Sequence, residues 1–158
     1  MRESIVTGVS FGLTSGVITT VGLIVGLHAG TNSRLAVVGG VITIAIADAL
    51  SDALGIHIAE ESRDGRTADH IWGATIATFV SKFLMAATFL IPFLVLPLGT
   101  AVIACIVWGM LVVIVISERL AVARRESRLR TIGEHLLISI VVVVITHYVG
   151  VWVATRFQ

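Results

Sequence analysis

The stretch SIVTGVSFGLTSGVITTVGLIVGLHA, from Ser4 to Ala29, contains no Asp, Glu, Lys or Arg. A helix needs about 20 apolar residues to cross a hydrocarbon core roughly 30 Å thick, so this stretch reads as a transmembrane helix. Working outward, the charged residues fence off four more. Leu35 to Ala59 is apolar except for Asp48 and Asp52. The polar stretch EESRDGRTADH follows, from Glu60 to His70. Ile71 to Ser117 then carries one charge, Lys82, and is long enough for two spans. Pro92 and Pro97, with Gly99, mark the break between them. A second polar stretch, ERLAVARRESRLRTIGE from Glu118 to Glu134, reads as a loop, and the last span is His135 to Thr155. The expected helices lie at about 4–29, 35–59, 70–94, 97–118 and 135–156. The expected fold is an all-α integral membrane protein, with one five-helix transmembrane domain over residues 1–158.

Composition points the same way. The 158 residues are 56% hydrophobic and 13% charged, with a mean hydropathy of +1.02, whereas a soluble domain is roughly 25% charged. Polar residues could not coat so large a core, which excludes a soluble domain, and the apolar content excludes disorder. A net charge of +1 gives no bulk attraction for nucleic acid. The single cysteine, Cys105, allows neither an internal disulfide nor a zinc cage. No Ser/His/Asp set, nucleotide loop or zinc triad occurs at usable spacing, so the chain does not read as an enzyme. The first apolar run is too long for a signal-peptide core and lacks an A-x-A end.

Lys and Arg set the expected orientation. With the N-terminus inside, Arg2, Arg63, Arg66, Arg119, Arg124, Arg125, Arg128 and Arg130 fall on the inner side, and Arg34 and Arg156 outside. Lys82, the last of the eleven, lies within the membrane. This predicts N-in and C-out. Short loops and the lack of a targeting tail suggest a prokaryotic plasma membrane. The arginine-rich loop from Arg119 to Arg130 is expected to meet anionic lipid headgroups.

On the first helix, Gly8, Gly12 and Gly16 are spaced by four, and so are Gly22, Gly26 and Gly30. At about 100° per residue all six share one arc of roughly 120°. Small residues let helix backbones approach closely. The face therefore suits a homodimer interface, a face that slides during transport, or packing within the chain. Ser15, Thr19 and Thr20 can add interhelical hydrogen bonds.

The residues that point to function are Asp48, Asp52 and Lys82. An ionised side chain at mid-bilayer costs at least a few kcal/mol, so it faces a cavity or a partner. Asp48 and Asp52 are four apart and share a helix face. Lys82 lies about twelve residues from the start of its helix and Asp48 about eleven from the end of its own. At 1.5 Å per residue both sit about 17–18 Å deep, so a Lys82–Asp48 pair is natural if the helices are neighbours. It reads either as a structural ion pair or as carboxylates that bind a cation or carry protons, with Lys82 a tethered competing charge. One aspartate is expected to stand apart, and an unpaired buried carboxylate tends to be protonated at neutral pH. Asp52, one turn nearer the inner side, is the better candidate for exchanging a proton with a metal. His57, Glu60, Glu61, Asp64, Asp69 and His70 gather at the expected inner mouth, where such ligands suit divalent first-row metals and equally suit a solvated interface. His147 and Tyr148 fall near the middle of the last helix, His28 near the outer surface and Glu118 near the inner one.

VSFGLTSGVITTVGLIVGL (Val9 to Leu27), ADALSDALGIHIAEES (Ala47 to Ser62) and TFVSKFLMAATFLIPFLVLP (Thr78 to Pro97) resemble the vacuolar iron transporter family. The resemblance covers nearly the whole chain and thins in the last two helices to little more than IGEHLLI and HYVG. It implies five helices with N-in and C-out topology, a dimer with the metal path between first helices, and exchange of ferrous iron or manganese for protons. The chain departs from that pattern in four places. Phe11 stands where the family has an aspartate, Asp52 where it has a methionine, and Lys82 where an uncharged residue is expected. The glutamate-rich helical domain between the second and third helices is missing, leaving Glu60 and Glu61 to collect metal. Exchanging a thioether for a carboxylate favours harder ions such as Mn²⁺ or Mg²⁺, and protons.

The expected function is therefore proton-coupled transport of a divalent cation of the Fe²⁺ or Mn²⁺ type. Asp52 and Asp48 are the metal ligands within the membrane, Glu60 and Glu61 those at the mouth, and Lys82 couples charge with Asp52. No cofactor is permanently bound, and the metal is cargo. Two rivals are a non-transporting membrane scaffold or partner subunit, and a sensor that binds metal without moving it.

Overall fold

A computed structural model describes residues 2–157, with side chains from residue 4 onward. The helices are α1 (Arg2–Thr31), α2 (Arg34–Glu61), α3 (Ala68–Thr88), α4 (Ile91–Val95), α5 (Leu98–Arg124) and α6 (Arg128–Phe157). With α3 and α4 taken as one broken span, five helical stretches are long and apolar enough to cross a membrane: Ser4–Thr31, Arg34–Glu61, Ala68–Val95, Leu98–Arg124 and Arg128–Phe157. Among the described residues there is no strand. The chain is an all-α protein built to span a membrane.

Sharp connections force the helices into antiparallel succession. Between α1 and α2 the chain turns through Asn32, in the left-handed region at φ 47°, a conformation asparagine tolerates better than most residues. Ser33 then caps α2, its hydroxyl accepting from the Ala36 N–H at 3.3 Å. The third span breaks as the prolines predict. Pro92 sits in the first turn of α4, and Pro97 is the N-cap of α5. The carbonyls freed by the break are held by Arg34, whose Nη2 donates to Leu96 O at 2.7 Å and whose Nη1 donates to Phe93 O at 2.5 Å.

The stretch from Glu118 to Glu134 departs from the expected loop. α5 continues to Arg124 and α6 already begins at Arg128, so only residues 125–127 lie outside a helix. The residues here are good helix formers (Leu, Ala, Arg and Glu). The 3.6-residue pattern also persists, with Ser117, Ala121 and Thr131 buried. Polarity ended the apolar run without ending the helix. Arg125, at φ 56°, makes the turn.

α1 is the most buried of the five spans and α6 the least. The core gathers Val17, Val21, Ile24 and Val25 of α1 against Phe89 and Phe93 at the break and Val102, Cys105 and Val113 of α5. Lipid tails are as apolar as leucine, so close fit rather than the hydrophobic effect must hold these helices together. The glycines supply it. A methyl group at Gly8 or Gly12 would overlap α3 at the Ala74 carbonyl or at the Ser81 hydroxyl and Thr78 carbonyl. Gly16 lies against Lys82 and Met85, while Gly22, Gly26 and Gly30 lie against Val142, Thr146 and Gly150 of α6. Within the chain, the first three glycines of this face meet α3 and the last three meet α6.

Candidate functional site

Three helices meet at a buried ammonium. Lys82 of α3 is only 2% exposed, held behind the close α1–α3 contact that Gly12 and Gly16 permit. Its Nζ lies 2.6 Å from Asp48 Oδ2 and contacts Asp52 Oδ2. It also donates to Ser15 Oγ of α1 at 2.9 Å, and that hydroxyl donates in turn to Asp52 Oδ2 at 2.7 Å. The Asp48 contact is an ion pair without hydrogen-bond alignment, since Asp48 Oδ2 has no hydrogen-bond partner among the described residues. Asp52 is thus the more tightly held of the two acids.

The Lys82–Asp48 pair expected from matched depth is present. The lone aspartate expected beside it is not, because both acids face the same ammonium. The reason is geometric. Residues four apart lie about one turn, roughly 5.4 Å, from each other along the helix axis, and a long lysine side chain ending between them reaches both. The acid side chains are 27% and 21% exposed while the lysine is 2% exposed, although Asp48 Oδ2, the oxygen that meets the lysine, is buried.

At the end of the bundle that holds residues 62–67, the expected mouth ligands do not assemble. Glu60 is buried and committed to two arginines: its carboxylate lies 2.9 Å from Arg63 Nη1 and 3.2 Å from Arg66 Nε, with His70 Nε2 at 3.8 Å. Glu61, Asp64 and Asp69 are exposed. His57 meets Thr75 Oγ1 through Nδ1 at 3.0 Å. The Thr75 hydroxyl already donates to Ile71 O at 2.8 Å, so Nδ1 is the donor and a neutral His57 keeps its Nε2 lone pair. Among the described residues, no three of His, Cys, Asp and Glu are close enough together to hold a metal ion.

His147 and Tyr148 are exposed, and their rings touch each other at 5.6 Å rather than a neighbouring helix. Of the three hydroxyls expected to link helices, Ser15 does so, Thr19 bonds back to Ser15 O at 2.8 Å, and Thr20 is buried with no hydrogen-bond partner among the described residues. The His135–Ser117 contact (Nδ1 to Oγ, 2.8 Å) between α5 and α6 was not expected, since a lone serine and a lone histidine carry no period of their own. A lateral groove of about 610 Å³ between α1 and α6 also reaches Ile44 of α2, one turn from Asp48. Its lining, which includes Gly22, Gly26 and Gly30 beside Ile18, Leu23 and Val142, is almost wholly apolar and offers an ion few ligands. No family model, curated protein or solved structure matches this chain.

Proposed function

We propose that the chain is a small transporter that moves a divalent cation of the Fe²⁺ or Mn²⁺ type across its membrane in exchange for protons, with Asp52 and Asp48 as the exchanging groups. One observation carries this reading: two partly exposed acid side chains sit deep in a membrane span around a single buried lysine. A structural ion pair needs one acid per lysine, and a second acid at this depth costs several kcal/mol unless it serves a purpose. Lys82 acts as the resident counter-charge, which an arriving cation displaces from the carboxylates. Resemblance to the vacuolar iron transporters supports the same class of cargo, and the prokaryotic plasma membrane is the setting we assign. A homodimer would form through the glycine face of α1, where Gly22, Gly26 and Gly30 line the open groove beside α6.

A second reading, a scaffold or partner subunit that transports nothing, draws on a different observation. Lys82 already fills the space between the acids, and no third metal ligand stands beside them among the described residues. The sensor reading loses ground because Glu60 is spent on Arg63 and Arg66.

Uptake of Mn²⁺ and Fe²⁺ into proteoliposomes under an imposed pH gradient decides between them. Wild type is expected to accumulate metal in response to the gradient, and Asp52→Asn to fall to the level of empty liposomes while remaining folded. Absence of uptake by folded wild-type protein would leave the scaffold reading standing.

A further inference from the structure

We propose that the projecting end of the α5–α6 hairpin binds the phosphate-bearing headgroup of an acidic phospholipid. The inference is independent of the transport reading. The 27 residues of α5 span roughly 40 Å at 1.5 Å per residue, against a hydrocarbon core of roughly 30 Å. Its apolar run ends at Ser117, so residues 118–124 and the first turns of α6 stand in the headgroup layer, as does the turn between them.

Five arginines occupy this end. Two are engaged, Arg128 with Glu118 at 3.5 Å and Arg130 with Glu134 at 2.8 Å, both in exposed pairs. Arg119, Arg124 and Arg125 are exposed, and among the described residues their side chains make no ion pair and no hydrogen bond. Other arginines of the bundle are spent within it: Arg34 on the Phe93 and Leu96 carbonyls, Arg63 and Arg66 on Glu60. The left-handed turn at Arg125 also brings the start of α6, with Glu126 just before it, to the same end as these arginines. There the first backbone N–H groups have no intrahelical partner, and the helix dipole favours an anion.

Lipid rather than free phosphate is the occupant for two reasons. Leu129 is 86% exposed and Val122 51% exposed at this same end. Apolar side chains interleaved with arginines suit the boundary between headgroups and acyl chains, not water. The free arginines also spread along the hairpin end instead of closing around one anion, which fits a plane of headgroups. Each guanidinium near an anionic surface contributes roughly a fivefold preference.

The test is native mass spectrometry of the full chain, released from detergent supplied with equal phosphatidylglycerol and phosphatidylcholine. Wild type is expected to retain phosphatidylglycerol preferentially. The combined variant Arg119→Gln, Arg124→Gln, Arg125→Gln should lose that preference, by roughly fivefold per arginine. Arg156→Gln, at the opposite end of α6, should keep it. No preference in wild type, an unchanged preference in the triple variant, or an equal loss in Arg156→Gln would each overturn the proposal. Should the triple variant not fold, spin-labelled lipids on wild type give the same answer. Selectivity for the acidic lipid that falls between low and high salt supports the proposal, and selectivity that is absent or indifferent to salt refutes it. Displacement of the lipid by millimolar inorganic phosphate would reassign the site to the free anion.

Discussion

Lys82 has partners from two other helices, so its removal tests the cluster as a unit. Lys82→Met leaves Asp48 and Asp52 facing each other without a counter-charge. Breaking a fully buried pair costs about 3–5 kcal/mol. Here the acids are about a quarter exposed, which reduces the expected loss to about 2–4 kcal/mol. Adding Asp48→Asn and Asp52→Asn to Lys82→Met should restore most of that loss, because the amides need no counter-ion. Unfolding midpoints of the wild type, the single variant and the triple variant in one detergent measure this. A Lys82→Met protein as stable as wild type would show that the ammonium holds nothing together. Much of the cluster was legible in the sequence. The i, i+4 spacing and the matched depths placed Asp48 and Asp52 on one face at the height of Lys82. That Ser15 could bond to another helix was legible; that its partners are Asp52 and Lys82 was not, because the glycine spacing of α1 marks a contact face without saying which helices pack beside it.

A helix that is apolar all round carries no stripe to say which side faces its neighbours, so the glycines carry that information for α1. They named the contact face and left open what would fill it, since the same spacing serves a second copy and a neighbouring helix alike. The contacts of these glycines now make substitutions discriminating. At Gly12 a methyl group would overlap the Thr78 backbone carbonyl of α3, and at Gly150 the Gly26 carbonyl of α1. Backbone cannot step aside as a side chain can, so Gly12→Ala and Gly150→Ala should each destabilise by about 1–3 kcal/mol or more. Gly39 and Gly55 of α2 have nothing within 4 Å of the same position. There alanine should be neutral or stabilising by up to about 1 kcal/mol, the helix-propensity difference. Parallel thermal melts of the four variants would check both directions, and equal effects across them would undo the assignment of the glycine face. The misread stretch from Glu118 to Glu134 teaches the complementary point. Charge marks where a helix leaves the hydrocarbon, and only backbone chemistry, here Arg125 in the left-handed region, marks where it stops.

At the scale of the whole molecule the five spans alternate, so the α2–α3 turn and the α5–α6 turn share one end, and the α1–α2 turn at Asn32 lies at the other. Cationic side chains are distributed unequally between these ends. The first carries Arg63, Arg66, Arg119, Arg124, Arg125, Arg128 and Arg130, and the second carries Arg34 and Arg156. Arg34 is further bound to the Phe93 and Leu96 carbonyls, which shields part of the little positive charge the second end has. Short loops with this bias are retained on the cytoplasmic side during insertion, so the arginine-rich end should face inward. The native chain offers a convenient background for testing this, because its one cysteine, Cys105, is buried in the bundle, out of reach of a membrane-impermeant reagent. A cysteine introduced at Ser127 or Asp64, both exposed at the first end, should react with an impermeant maleimide in inside-out vesicles and be protected in right-side-out ones. A cysteine at Asn32, exposed at the other end, should show the reverse. Labelling of Ser127 and Asn32 variants from the same side would break the alternation of spans itself. Labelling of both in the opposite sense would keep the fold and invert the molecule, placing the arginine-rich turns on the outer side against the bias that Lys and Arg set.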